Sequence, residues 1–383
     1  MNIAFSKVDC SGRELEYVTR VIRSGWLTTA TMCSEFEKKF AEFIGVKYAL
    51  AVNSCTAALH LAADAMGIKS GDKVFMPVMT FTATAEIVRY LNADPVFLDV
   101  DYGTSLITPE ILETAIKQYP NVKAIILVHY AGQSVDLSKI LPICNRHHIK
   151  VIEDAAHAFP TKHNEQYIGT FGNITCFSFY ANKTITTGEG GMIVTENEDI
   201  YKRVKCMRLH GINRDIWDRF TTSGKWEYDV IAPGFKYNMP DINAAIGLAQ
   251  IERAEEFRIE RERCARHYFN ELKILQELNL PTLQCHWHEH SWHLFPIVLT
   301  EKSPVTRDEF IKQLNARGIC TSVHYKPLHR MTYYRTQYNL LPENFPKAEC
   351  RWQGGVSLPI FPLMTNEELH YVTSSIKDIL LNQ

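Results

Sequence analysis

Phe177-Ser178-Phe179-Tyr180-Ala181-Asn182-Lys183-Thr184-Ile185-Thr186-Thr187-Gly188-Glu189-Gly190-Gly191 is an apolar strand pattern that runs out at one lysine and a glycine-rich turn, with a second apolar run from Met192 to Thr195. A lysine placed at the end of a strand is partly desolvated. It therefore loses its proton more readily and becomes a nucleophile able to condense with an aldehyde such as that of pyridoxal phosphate (PLP). A surface lysine after a strand has the same local sequence, so the segment alone leaves both readings open.

Upstream, Val151-Ile152-Glu153-Asp154-Ala155-Ala156-His157-Ala158 is a buried-looking strand that delivers Asp154 at its carboxyl end. An isolated Asp there is commonly a helix N-cap. Beside a reactive lysine it has a second use, because PLP is an electron sink only while its pyridine nitrogen is protonated, and an apposed carboxylate keeps it so. Ser178 and Lys183 are each expected at the end of a strand, which places them with Asp154. The third segment is Asn53-Ser54-Cys55-Thr56-Ala57-Ala58-Leu59-His60-Leu61, where small hydroxyl residues open an Ala- and Leu-rich helix. The first amides of a helix are unpaired and its dipole is positive there, so a phosphate is stabilised, although Ser and Thr caps are common without any ligand.

Around these segments a helix is predicted over residues 10–24, and from 45 to 195 short apolar strands alternate with amphipathic helices. Strands are expected at 73–76, 95–98, 124–128, 150–153, 175–179 and 192–195, with helices beginning near Thr56, Ala83, Thr108, Asp136 and Glu198. This is the pattern of an α/β fold with a mostly parallel sheet covered on both faces, in which ligands bind outside the carboxyl ends of the strands. A long charged helical stretch over 241–278 leads into a smaller α+β part, with strands near 293–299 and 319–323 and helices near 307–317 and 367–381. The expected division is a large cofactor-binding domain, 1–250, and a small C-terminal domain, 251–383.

Taken together the chain resembles the DegT/StrS-type sugar-nucleotide aminotransferases, PLP enzymes of fold type I. The resemblance covers nearly the whole length, from Ser24-Gly25-Trp26-Leu27-Thr28-Thr29 through Met79-Thr80-Phe81-Thr82, Val128-His129-Tyr130-Ala131-Gly132 and Tyr237-Asn238-Met239-Pro240-Asp241 to Val323-His324-Tyr325. It implies that Lys183 is the Schiff-base lysine and proton shuttle, Asp154 the pyridinium partner and Phe81 the ring stacked on the cofactor. His157 would line the pyridine side near the phenolic oxygen, and Ser178, Cys55 and Thr56 would hold the phosphate. Most of the family has Gly-x-Asn-x-Arg where this chain reads Gly234-Phe235-Lys236-Tyr237-Asn238. Asn238, with Lys236 as alternative, would reach the neighbouring subunit's phosphate, which implies a homodimer with shared sites. Thr28, Tyr180, Arg219, His324 and His329 are the expected substrate-side residues, with a satisfied structural histidine an equally open reading of His324 and His329.

The activity implied is transamination from L-glutamate or glutamine to a keto sugar nucleotide. The chain looks closest to the enzymes that aminate a 4-keto pentose on UDP. Two other readings remain: a PLP-dependent sugar dehydratase, whose members usually replace the lysine with histidine, and a homologue that keeps the fold for regulation without turnover.

Composition is consistent with this. The chain has 383 residues, 46% hydrophobic, which suffices for two cores. With 41 basic and 43 acidic side chains, net charge -2, and no basic block, nucleic-acid binding is not expected. Ten cysteines without CxxC spacing argue for a reducing cytoplasm rather than a disulfide framework. Neither a signal peptide nor a membrane-spanning stretch is expected. Cys285-His286-Trp287-His288-Glu289-His290-Ser291-Trp292-His293 carries good zinc ligands, but no second ligand cluster accompanies it, and no metal is expected.

Overall fold

The computed structural model describes residues 1–212 and 228–381. The strands of its first part are β1 (Tyr48–Val52), β2 (Lys73–Pro77), β3 (Asp94–Leu98), β4 (Ala124–Val128), β5 (Lys150–Asp154), the two-residue pair β6 (Lys162–His163) and β7 (Gln166–Tyr167), β8 (Ile174–Ser178) and β9 (Gly191–Thr195). All but β6 and β7 join one seven-stranded sheet in the order β1-β9-β8-β5-β4-β2-β3. The pairings along β3-β2-β4-β5-β8 are parallel, and β9 alone is reversed, lying antiparallel to both β8 and β1.

The parallel strands are apolar without alternation because both faces are covered. Phe75, Ile125, Val151 and Phe177 face one core, while Met76, Ile126, Ile152 and Cys176 face the other. Helices α1 (Glu14–Ser24) and α2 (Thr31–Ile44) lie over the first core; α3 (Cys55–Ala65) and α4 (Ala83–Tyr90) cover the second. The remaining helices of this part are α5 (Pro109–Gln118), α6 (Leu137–Arg146), α7 (Glu198–Met207) and α8 (Asp241–Ile251). Their starts follow local chemistry: the Ser54, Thr108 and Asn197 side chains accept from backbone amides in the first turns of α3, α5 and α7.

Beyond α8 come α9 (Ala254–Leu272), α10 (Arg307–Ala316), α11 (Thr332–Tyr338), α12 (Pro346–Gly354) and α13 (Asn366–Leu381), with a second sheet of β10 (Leu278–Asn279), β11 (Phe295–Leu299) and β12 (Gly355–Leu358) in that order. A third core fills this part. Two segments cross between cores: Ile3 packs into the third, whereas Leu328, Tyr334, Phe345 and Ala348 pack into the second.

Several sequence expectations need correction. The helical stretch over 241–278 is two helices, broken at Glu252-Arg253, where the Arg253 guanidinium turns to Asp9 at 2.8 Å and Glu256 closes the next turn. Residues 319–323 form isolated bridges, Ile319 to Ile3 and Ser322 to Ser357, rather than a continuous ladder. The strand before the lysine ends at Ser178, and Lys183 lies five residues on, in the loop between β8 and β9. β1 and α2 were not foreseen. Among the described residues no helix is long and apolar enough to cross a membrane.

Candidate active site

The site is built at the carboxyl ends of the parallel strands. Asp154 is the last residue of β5 and Ser178 the last of β8. The loop after β8 is pinned at its base, with the Phe179 amide donating to Gly190 and the Thr187 amide to Phe179 at 2.9 and 3.0 Å, and the Lys183 amide closes a turn on the Tyr180 carbonyl. This holds Lys183 half-buried, with no hydrogen-bond partner for its Nζ among the described residues. Burial, assisted by the nearby Arg261 charge, pushes the amine down to about 8 against the opposing pull of Cys55 and Asp154.

Asp154 is 5% exposed and burial raises its carboxyl above the usual range. Its Oδ2 accepts from Thr84 Oγ1 at 2.8 Å, and Oδ1 from the Ala156 amide at 3.2 Å. The single Thr84 proton goes to Asp154, so Thr84 must accept from Thr80, 2.8 Å away. No α-helix begins at Asp154, and its N-cap reading is therefore excluded. The paired threonines, at the C-terminal side of β2 and the start of α4, were not singled out; their spacing of four was the signal.

Ser54 caps α3 by accepting from the Ala57 amide at 3.1 Å, while the Cys55 and Thr56 amides have no backbone partner among the described residues. This leaves two donors at the helix's positive end for an anion. Gly191 makes the arrangement possible: a Cβ there would sit 2.7 Å from the Ser54 carbonyl carbon and 2.8 Å from the Cys55 nitrogen. The Cys55 thiol contacts the Cys176 carbonyl, and burial raises it well above its ordinary value. Phe81, 57% exposed, presents its ring 6.0 Å from that of Tyr325.

His157 is buried and neutral, burial holding it well below the ordinary histidine range. Its Nδ1 accepts from the Ala131 amide at 3.2 Å, and its Nε2 lies 2.8 Å from the Tyr325 hydroxyl. His324 bonds Ser357 through Nδ1 at 2.9 Å and is pushed down to about 4 by burial. The His293 ring lies against that of His157, with centroids 4.5 Å apart and planes tilted by 45°.

The other expected residues are less central. Tyr180 is exposed at the loop's edge. Thr28, Lys236 and Asn238 line a separate cavity of about 1280 Å³ that Lys183 does not border. Within this chain Asn238 is buried, its amide donating to Thr29 at 2.6 Å and its carbonyl accepting from Lys236. His329 is not brought to the site: fully buried, it stacks on Phe345 and bonds Glu349 at 3.0 Å. Arg219 lies outside the described residues. In the histidine-rich run, His288 turns outward to Glu165 while His290 accepts from the Trp292 amide. Among the described residues no three His, Cys, Asp or Glu side chains are grouped to hold a metal ion.

Comparison with known proteins matches residues 9–377 to the DegT/DnrJ/EryC1/StrS aminotransferase family. The chain belongs to that family and is an aminotransferase of fold type I. It is 40% identical over 369 residues to the spore coat polysaccharide biosynthesis protein SpsC of Bacillus subtilis, covering 96% of this chain and 94% of that one. Among solved structures, Helicobacter pylori PseC, an aminotransferase in pseudoaminic acid biosynthesis, superposes with a TM-score of 0.92 at 28% identity, covering 99% of both chains. The sugar aminotransferase Spr1654 of Streptococcus pneumoniae in its PMP form superposes at 0.91 and 29% identity, also over 99% of both, and that protein has been solved with PLP as well. The residues here fit such a cofactor: an unbonded amine, a buried carboxylate and two open helix amides lie on the same edge of one sheet.

Proposed function

We propose that this chain is a PLP-dependent transaminase that moves an amino group from L-glutamate or glutamine to a 4-keto sugar carried on a nucleoside diphosphate. The observation that carries the reading is the placing of Lys183, lowered to about 8, beside buried Asp154 at the carboxyl edge of the sheet. Bound there, PLP supplies an aldehyde and an electron-withdrawing pyridine ring. Asp154, oriented by the Thr80–Thr84 relay, would keep the ring nitrogen protonated. The Cys55 and Thr56 amides with Ser178 would hold the phosphate, and Phe81 would cover one ring face. Lys183, whose proton burial makes easier to lose, would serve as nucleophile and then carry the α-proton as base and acid.

A sugar acceptor is supported by the sugar and polysaccharide roles of PseC, Spr1654 and SpsC. The 4-position, and more narrowly the UDP pentose, rests on the Lys236-Tyr237-Asn238, His157 and Val128–Gly132 signatures. In this reading residues 1–250 bind cofactor, 251–383 form the small domain, and the cytoplasmic enzyme is a homodimer in which Asn238 or Lys236 reaches the partner's phosphate. Lys183→Ala and Asn238→Ala proteins would then regain activity when their subunits are exchanged, and no recovery after proven exchange counts against the shared site. The substrate test is incubation with PLP, glutamate and a panel of 3-keto and 4-keto sugar nucleotides, with the new amine located by NMR. Amination solely at the 3-position would overturn the positional assignment.

A further inference from the structure

Tyr325 was noticed in the sequence only as part of a motif, yet its hydroxyl reaches His157 on the cofactor side, beside the Tyr130 hydroxyl that donates to the His324 carbonyl. The hydrogen-bond bookkeeping around it is closed. The Ala131 amide occupies His157 Nδ1, so a neutral His157 must carry its proton on Nε2 and donate to the Tyr325 oxygen 2.8 Å away. The tyrosine's own proton is left to donate elsewhere. Among the described residues no acceptor receives it. The ring is only partly buried, and it stands between His157, at 5.9 Å and nearly parallel, and the exposed ring of Phe81 at 6.0 Å.

We propose that Tyr325 is a further catalytic residue, its hydroxyl donating to the phenolic oxygen of the bound cofactor while His157 fixes its direction from behind. The inference rests on the PLP reading above. A hydroxyl directed at that oxygen would draw charge from it and so lower the pH at which the visible band of the cofactor-loaded protein changes. The groups facing Tyr325 are His157 after β5, Asp154 at the end of β5, Tyr130 after β4, Cys55 at α3 and adjacent His324, while the Lys183 charge in the β8–β9 loop acts on His157 and His324. Burial of the phenol keeps it protonated throughout the working range, since it raises the hydroxyl well above its ordinary value.

The test is a spectrophotometric pH titration of the visible band of the holoenzyme in wild type and Tyr325→Phe, which keeps the ring and removes the donor. The midpoint is expected to rise by about one pH unit, the scale of one hydrogen bond to a charged oxygen. A midpoint within about 0.2 unit of wild type overturns the proposal. Should Tyr325→Phe fold poorly, Tyr325→3-fluorotyrosine, a stronger donor of nearly the same shape, is expected to move the midpoint down, and an unmoved midpoint again overturns it. Absence of any visible band in the PLP-treated wild type would instead remove the underlying cofactor reading.

Discussion

Glu153 and Asp154 are neighbours on one strand, and their surroundings differ in almost every respect. Glu153 points into the core, fully buried, and is saturated: it accepts from His129 Nε2 at 2.9 Å, Thr175 at 3.1 Å and Asn173 at 3.2 Å. His129 is held in turn by the Val135 amide on its Nδ1. Asp154, one residue on and therefore on the opposite face, has one hydroxyl and one backbone donor, and burial raises its carboxyl. Two acids of the same strand thus have separate work. The saturated one fixes the sheet, and the under-satisfied one retains capacity for a ligand's proton.

If this division is right, substitutions on the site side should remove activity and leave the fold, with the reverse on the core side. The largest effect is expected for Lys183→Ala, which should lower turnover by on the order of 10⁴-fold or more while the protein stays folded by circular dichroism. Near-normal turnover would break the site assignment. Asp154→Asn removes charge with little change of shape, and should cost on the order of 10²–10³-fold in kcat and weaken PLP retention. Normal colour and rate would mean that another group supports the ring nitrogen.

Glu153→Gln should do the opposite. Losing the charge that faces His129 is expected to cost about 1–3 kcal/mol in unfolding free energy by denaturant titration, with turnover per folded molecule within about threefold of wild type. A selective loss of kcat there would erase the contrast between the two acids.

A smaller effect concerns the cofactor-free protein. Lys183 has a folded value of about 8 against an ordinary 10.5. Between those values the unfolded chain binds a proton that the folded chain does not, so stability rises with pH across that window, and below it the full cost of the buried charge is present. Cofactor-free Lys183→Ala should therefore be more stable than wild type at pH 7, by ~3 kcal/mol at most, with the gap closing as pH approaches 10. A gap that widens with pH would contradict the assigned direction.

Much of this was legible because it depends on local chemistry. The β5 and β8 strands were placed to within about a residue from their apolar runs, and Ser54 announced the start of α3 by its capping side chain. What was hidden depends on contacts distant in sequence. Thr84 reaches Asp154 across 70 positions and Tyr325 reaches His157 across 168, and no periodicity encodes such pairs. The sequence left a structural and a substrate-side reading of His329 equally open, because its partner Glu349 lies on α12, twenty positions away. The break between α8 and α9 was missed for a similar reason, since Arg253 is drawn aside by Asp9 near the N-terminus.

The central claim is that Lys183 is the amine that meets the cofactor. It is tested most directly by loading the protein with PLP, reducing with borohydride, digesting and locating the phosphopyridoxyl group by peptide mass spectrometry. The group is predicted on Lys183, in stoichiometric amount; its appearance on a different lysine, or on none, would contradict the account.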